Sequence, residues 1–164
     1  MEQHVGEAFL SVYNWATGTK LRVDRSGKPP EPDVLCRDER TGQEIGIEVV
    51  GAYYGEDHAK AAWGTGRGAQ TEGYQLTRPD WEENKRVLDW VLQSIHDKAG
   101  KRYTVSGRLL LVVFTHPARL YLAQEEERLE ELRIPTRHPF DEIHVFSQHG
   151  ELYQLFPERQ WILR

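Results

Sequence analysis

Apolar residues recur at the three- and four-residue spacing of an amphipathic helix in two segments of the chain. The first segment, residues 2–16, carries the stripe Val5, Ala8, Phe9, Val12 and Ala16. The second, residues 81–100, carries the stripe Val87, Leu88, Val91, Leu92 and Ile95. Lys98 continues the second stripe, so its ammonium can either reach water or point into a site beside a sheet. The pattern therefore predicts two helices, with Gly18 as the stop signal of the first.

Short apolar runs elsewhere in the chain predict β-strands. Residues 109–114 read LLLVVF, which is typical of a central strand buried on both faces. Shorter runs predict strands at 19–24, 142–146 and 152–156, and the tail 159–164 can add an edge strand. Residues 118–133 have a helical and acidic pattern. This order of elements predicts an α/β fold, a mixed central β-sheet flanked by helices, in a single domain of residues 1–164.

Residues 32–50, which read PDVLCRDERTGQEIGIEVV, predict a β-hairpin because two apolar arms flank a turn-forming cluster. Asp33 opens the first arm, and Glu48 interrupts the second. A turn centred on Arg40-Thr41 places the two carboxylates directly opposite each other, and one centred on Thr41-Gly42 places them diagonally. In both cases their Cβ atoms are roughly 5–8 Å apart. Carboxylates this close repel unless a proton or a cation lies between them, so Mg²⁺ or Mn²⁺ is the expected cofactor.

The alternative interpretation gives both carboxylates an ordinary role. Asp33 would cap the start of a strand, and Glu48 would be solvated on an open face of the sheet. Residue alternation argues against a solvated Glu48, because Glu48 shares its face of the strand with the apolar Val50, so this face is not wholly polar.

Composition and charge limit the classes of function. The 164 residues are 38% apolar and 29% charged, which is typical of a soluble globular protein. No apolar run is long enough to cross a membrane, and we expect no membrane partner. The single cysteine, Cys36, cannot form an internal disulfide, which favours a reducing cytoplasm. The net charge of −5 argues against bulk coating of nucleic acid but allows a local basic groove.

Two segments combine features that suit contact with a nucleic acid. Residues 51–80 form a long Gly-rich loop with aromatic and cationic side chains, and they include a possible short helix at 59–63. A basic segment without acidic residues follows between positions 98 and 108. The candidate nucleic-acid-binding residues are Lys60, Arg67, Arg78, Lys101 and Arg102. A flexible surface insert and a solvated helix end are the alternatives for the two segments.

The order of elements, with Pro32-Asp33 followed by Glu48 in GIEVV, resembles the PD-(D/E)XK nuclease superfamily, which has the restriction-endonuclease-like fold. The resemblance extends from Glu7 to about Phe114. It implies metal-dependent hydrolysis of phosphodiester bonds, with Glu7, Asp33 and Glu48 as the metal ligands. In such a site the metal activates water and stabilises the charge that develops on the phosphate.

One position departs from the family pattern. The family lysine lies two residues after the second acid, where this chain has Val50. Lys98 is the first candidate for a lysine supplied by another element, and Lys85 and Lys60 are weaker candidates. If no lysine reaches the site, the chain is a non-cleaving relative.

Two functions therefore compete. The first is a metal-dependent nuclease, with DNA as the favoured substrate and with Asp33, Glu48 and Lys98 as catalytic residues. The second is a catalytically inactive module on the same fold that binds nucleic acid or a protein partner. Either function is compatible with a homodimer. The histidines lack the spacing of a zinc site. His144 and His149 bracket a turn and could meet at a joint metal site, but the favoured interpretation is that both are surface residues.

Overall fold

The structure, a computed structural model, describes residues 2–52, 81–115 and 121–164. Its helices are α1 (Glu2–Thr17), α2 (Trp81–Ala99) and α3 (Glu126–Glu131), and a 3₁₀ helix at Leu122–Glu125 precedes α3. Its strands are β1 (Leu21–Ser26), β2 (Val34–Asp38), β3 (Glu44–Ala52), β4 (Arg108–Thr115), β5 (Glu142–Ser147), β6 (Leu152–Phe156) and β7 (Gln160–Leu163).

The seven strands form one sheet in which the spatial order follows the chain order, from β1 to β7. The pairs β3–β4 and β4–β5 are parallel, and the other four pairs are antiparallel. The predicted mixed α/β sheet is therefore confirmed. The predicted edge strand in the tail is present as β7.

Helices cover both faces of the sheet. Phe9 and Leu10 of α1 pack with Ile45, Ile47 and other residues on one face, which we call the α1 face. The stripe of α2 packs on the opposite face, the α2 face, together with residues of the 3₁₀ helix and α3. The predicted stripe of α2 is buried, with Leu92 only partly so. The predicted stripe of α1 is wrong in part: Ala8 is exposed, Val12 and Ala16 are half-buried, and the buried face is formed by Val5, Gly6, Phe9, Leu10 and Tyr13. Leu10 and Tyr13 bring more apolar area to the core than the two alanines, so burial of apolar area determines which side of α1 faces the sheet.

The central position of β4 follows from its composition. It is the fourth of seven strands, and the side chains of Leu109 to Val113 are at most 3% exposed. Alternate residues of β4 contribute to the cores of both faces, with Leu110 on the α1 face and Leu111 on the α2 face. The prediction of a strand buried on both faces is confirmed.

The β2–β3 hairpin also agrees with the sequence pattern. Val34 pairs with Ile47 and Arg37 pairs with Glu44, so the turn is centred on Arg40-Thr41. Gly42 closes the turn with a φ of 71°, a left-handed conformation that glycine adopts without a Cβ clash.

In the described part of the segment predicted as a helix over 118–133, helical structure runs from Leu122 to Glu131. It begins after the extended Tyr121, where the buried Glu151 carboxylate accepts hydrogen bonds from the backbone N–H groups of Leu122 and Ala123 at 3.0 and 3.1 Å. Residues 116–120 lie outside the described residues. The helical start is thus determined by an acceptor that lies 29 residues later in the chain.

The predicted loop 51–80 is only partly described. Its first two residues extend β3, and residues 53–80, with the predicted short helix at 59–63, lie outside the described residues. Among the helices in the described ranges, none combines the length and the apolar character that a membrane-spanning helix needs.

Candidate functional site

Asp33 and Glu48 are neighbours at the open end of the β2–β3 hairpin. The turn is centred on Arg40-Thr41, the first of the two predicted arrangements, but the ladder ends at the pair Val34–Ile47 and Asp33 lies in a bend just before β2. Asp33 Oδ2 accepts a hydrogen bond from the backbone of Val49, the residue after Glu48, which brings the two carboxylates close together. Since Ile47 packs on the α1 face, the alternation of β3 points Glu48 to the α2 face.

Glu48 is buried, with only 5% of its surface exposed. The interpretation of Glu48 as a solvated residue on an open sheet face is therefore wrong. A buried carboxylate needs a compensating charge or hydrogen bonds, because removing its charge from water is costly.

Lys98 supplies that charge from the last turn of α2. Its Nζ forms an ion pair with Oε1 of Glu48, and the side chains are 16% and 7% exposed. The predicted lysine at the end of the helical stripe therefore points at the carboxylate pair. Lys60 and the side chain of Lys85, the weaker candidates, lie outside the described part of the structure.

Asp33 is half-buried, and one of its oxygens is used by the backbone. Oδ2 accepts a hydrogen bond from Val49 N–H at 2.8 Å, so Asp33 also closes the open end of the hairpin. Burial raises the pKa of the Asp33 carboxyl, and the charges of Glu48 and Glu2 act in the same direction. The bond from Val49 and the charge of Lys98 oppose this rise. The excess of negative charge at Asp33 favours either a proton or a cation there.

Tyr103 is a site residue that the sequence does not indicate. Its hydroxyl oxygen is buried and makes no hydrogen bond of standard distance and angle to any described residue. Burial raises the pKa of Tyr103, and the charge of Glu48, a looser contact between the hydroxyl and the Glu48 carboxylate, and the charge of Asp33 add to this rise. Tyr103 lies in an irregular segment without apolar periodicity, so no sequence signal marks it.

The α1 helix contributes a different acid from the predicted one. Glu7 is exposed, and its Oε1 accepts a hydrogen bond from Gln3 Nε2 at 2.9 Å. Glu2 is the α1 carboxylate whose charge acts on Asp33. Within the described residues, no three His, Cys, Asp or Glu side chains come together in a group that could hold a metal. The predicted set of Glu7, Asp33 and Glu48 is therefore not assembled there.

The predicted basic segment does not form one patch. Lys98 pairs with Glu48 on the α2 face, whereas Arg108 pairs with Glu142 on the α1 face. Lys101 and Arg102 are exposed just beyond the C-terminus of α2. The remaining candidates for nucleic-acid binding, Lys60, Arg67 and Arg78, lie outside the described residues.

A separate polar network lies on the α1 face. The Glu142 carboxylate accepts hydrogen bonds from the Arg108 guanidinium and from the Tyr13 hydroxyl, the latter at 3.1 Å. It also forms a hydrogen bond with His144 Nε2 at 2.7 Å. His144 is fully buried, so its interpretation as a surface residue is wrong. His149 is exposed and stacks on Tyr121, with ring centroids 4.5 Å apart. The two histidines therefore do not form a joint metal site.

The donors at Asp33 and Glu48 fit a hard divalent cation. Both are carboxylates, and they lie close together, because Asp33 bonds the backbone of the residue that follows Glu48. Mg²⁺ is commonly held by one or two carboxylates together with waters and substrate phosphates, so two protein ligands are sufficient.

Comparisons of the chain with protein-family models, curated proteins and solved structures found no match.

Proposed function

We propose that the protein is a metal-dependent nuclease that hydrolyses phosphodiester bonds in DNA, with a site related to that of the PD-(D/E)XK superfamily. One observation carries the proposal. Lys98, 50 residues after Glu48 and on another element, points its ammonium at the buried carboxylate that lies close to Asp33. A lysine beside two carboxylates is the set of groups that the family uses, and here α2 supplies it.

Each residue has a distinct role in this proposal. Asp33 and Glu48 would hold Mg²⁺ or Mn²⁺. A bound ion would supply Lewis-acid activation of water and neutralise charge on the phosphate. Lys98 would orient the attacking water or stabilise the negative charge that develops on the phosphate, since the last turn of α2 brings its ammonium to the site. The buried position of Glu48 keeps solvent away from the pair, which strengthens these electrostatic interactions.

Lys101 and Arg102 suit a supporting role at the entrance. They are exposed and follow Lys98 by one turn of chain, so they can contact the phosphates of a strand that enters the site. Phosphate contacts of this kind position a nucleic acid without reading its sequence.

A second function is favoured by the same ion pair. Lys98 already neutralises Glu48, so the pair is stable as a purely structural contact. A catalytically inactive module that binds nucleic acid or a protein partner is then the alternative. The two functions differ in whether a divalent ion binds at Asp33 and Glu48.

A cleavage assay tests the proposed function. Plasmid, single-stranded DNA and RNA are each incubated with the protein in Mg²⁺, in Mn²⁺ and in EDTA. We expect DNA cleavage that requires the metal and is lost in Glu48→Ala. Glu44→Gln, a matched change four residues earlier on the same strand and face, retains activity. Cleavage that persists in Glu48→Ala, or no metal-dependent cleavage of any substrate by the wild type, contradicts the proposal.

A further inference from the structure

Three cations near the proposed site have no acidic partner. Lys28, Lys101 and Arg102 are exposed, and their side chains form no ion pair with a residue in the described ranges. Arginines elsewhere around the hairpin are engaged, since Arg25 pairs with Glu31 and Arg37 pairs with Asp24. Unpaired cations on an exposed surface are available to an anionic ligand.

A hydrogen bond joins the two segments that carry these cations. The backbone N–H of Thr104 donates to the carbonyl of Pro30 at 2.9 Å. The turn 28–31 and the segment 101–104 are therefore in contact, and we call the two joined segments the basic rim.

Both ends of the basic rim are attached to residues of the proposed site. Gly27, which precedes the turn, donates its backbone N–H to the carbonyl of Asp33 at 2.9 Å. At the other end, Lys101 donates its backbone N–H to the carbonyl of Lys98 at 3.1 Å, and Lys98 pairs with Glu48. The rim therefore begins beside one carboxylate and ends beside the ammonium that contacts the other.

The turn at the start of the rim is held by its own contacts. The Glu31 carboxylate accepts hydrogen bonds from the Lys28 backbone N–H at 3.1 Å and from the Arg25 guanidinium at 2.8 Å. The bonds from Arg25 and from the Lys28 backbone lower the pKa of Glu31 to about 2, so the carboxylate is ionised at neutral pH. Because Arg25 and Glu31 neutralise each other, the charge of Lys28 is left uncompensated in this turn.

We propose that the basic rim binds the sugar–phosphate backbone of a nucleic-acid strand that crosses Asp33 and Glu48, and that Lys28 is a phosphate-binding residue together with Lys101 and Arg102. This inference rests on the proposed function, because it takes the carboxylates as the place where the strand is cut. Contacts to phosphate position a strand without reading its sequence, so the rim supplies affinity rather than base specificity.

Lys28→Met tests the new member of the rim, because it removes the ammonium and keeps an unbranched side chain. Loss of one phosphate contact should raise the Kd for DNA roughly fivefold at low salt and decrease the slope of log K against log salt by roughly 1. Lys28→Arg should retain both values, since a guanidinium also binds phosphate.

Lys20→Met is the matched control, because it changes the net charge by the same amount. Lys20 is exposed just before β1, whereas Lys28 follows the opposite end of this strand. Fluorescence anisotropy with a labelled short duplex and with its single strand, at 50–200 mM NaCl in EDTA, measures binding without a metal. We expect weaker binding of at least one of the two DNA forms in Lys28→Met, and binding equal to wild type in Lys20→Met and Lys28→Arg.

Three results would overturn the role of Lys28. Equal affinity and salt slope in Lys28→Met and wild type overturn it and leave the proposed function intact. Equal weakening in Lys20→Met shows attraction by net charge alone, and the absence of DNA binding by the wild type removes the rim as a binding surface. If Lys28→Met weakens binding as expected but the wild type cleaves no substrate in Mg²⁺ or Mn²⁺, the nuclease proposal fails and the rim is supported as the surface of a binding module.

Discussion

Lys98 Nζ in the last turn of α2 forms an ion pair with Oε1 of Glu48 in the middle of β3, and both side chains are largely buried. The pair joins a helix to the α2 face of the sheet. A buried ion pair is weak evidence of stabilisation by itself, because desolvation offsets much of the attraction. The pair points to a catalytic role because a second carboxylate, that of Asp33, lies beside it.

Lys98→Met should separate stability from metal affinity. The substitution leaves Glu48 buried without its countercharge, which is expected to cost about 3 kcal/mol of folding free energy. Mn²⁺ should then bind about tenfold more tightly, because the ammonium no longer competes for Glu48. Chemical denaturation in EDTA and a Mn²⁺ titration measure the two effects.

Lys101→Met is the matched control for this experiment, since it removes an exposed ammonium three residues later. It should change neither quantity. Unchanged stability in Lys98→Met would show that the ion pair with Glu48 is not formed in solution.

Asp33→Asn should stabilise the metal-free protein at neutral pH. Because the pKa of Asp33 is raised in the folded state, the folded protein binds more protons than the unfolded chain above the ordinary Asp value of about 3.9. Wild-type stability therefore falls as the pH rises through the raised pKa, and Asn avoids this loss while it can still accept the bond from Val49.

Thermal melts in EDTA from pH 3 to pH 8 measure the effect. The variant should melt roughly 2–4 °C above wild type at pH 7, the shift expected for about 1 kcal/mol, and the difference should shrink toward pH 3. A wild type that gains stability relative to Asp33→Asn as the pH rises would contradict the direction of the pKa shift.

Glu142→Gln should destabilise the fold without affecting the metal site. The bond from His144 and the charges of His144 and Arg108 outweigh burial and lower the pKa of Glu142. Its carboxylate therefore stabilises the protein above the ordinary Glu value of about 4.3, and this contribution is lost as the pH falls through the lowered pKa.

At pH 7 the substitution should cost about 2 kcal/mol, because Arg108 and the buried His144 lose an ionised partner. Urea denaturation at pH 7 and at pH 3 measures this cost, and the difference from wild type should be smaller at pH 3 than at pH 7. Mn²⁺ affinity serves as the internal control. A reduced affinity in Glu142→Gln would show that the α1-face network is linked to the proposed site.

Removal of Lys101 and Arg102 should weaken DNA binding in a salt-dependent manner. The double alanine variant loses two phosphate contacts, so the slope of log K against log salt should decrease by roughly 2. Fluorescence anisotropy with a short duplex in Ca²⁺ measures this. The control variant replaces Lys20 and Arg22 with alanine. Lys20 lies just before β1 and Arg22 lies on it, and both are exposed near the turn of the β2–β3 hairpin. Equal weakening in both variants would indicate non-specific attraction only.

The parts of the site that local periodicity determines were predictable from the sequence. Alternation along β3 points the side chains of Glu48 and Ile47 to opposite faces of the sheet. The helical spacing of α2 places Lys98 at the end of a buried apolar stripe. Both patterns depend on neighbours within a few residues, which the sequence displays directly. The contact between Lys98 and Glu48 then follows once α2 packs on that face.

Features that depend on distant partners were not predictable in the same way. The buried His144 is compensated by its contact with Glu142, and its ring packs edge-on against Tyr13 of α1, which no local pattern shows. The start of the 3₁₀ helix depends on Glu151, and the position of Tyr103 depends on contacts of an irregular segment with Pro30 and Phe140.

The most direct test of the central claim is a Mn²⁺ titration of the wild type, Glu48→Gln and Glu44→Gln at pH 7.5, with free Mn²⁺ followed by electron paramagnetic resonance. If Asp33 and Glu48 hold the ion, the wild type and Glu44→Gln bind Mn²⁺ saturably and Glu48→Gln does not. The absence of saturable binding in the wild type, or equal binding in Glu48→Gln, would contradict the claim.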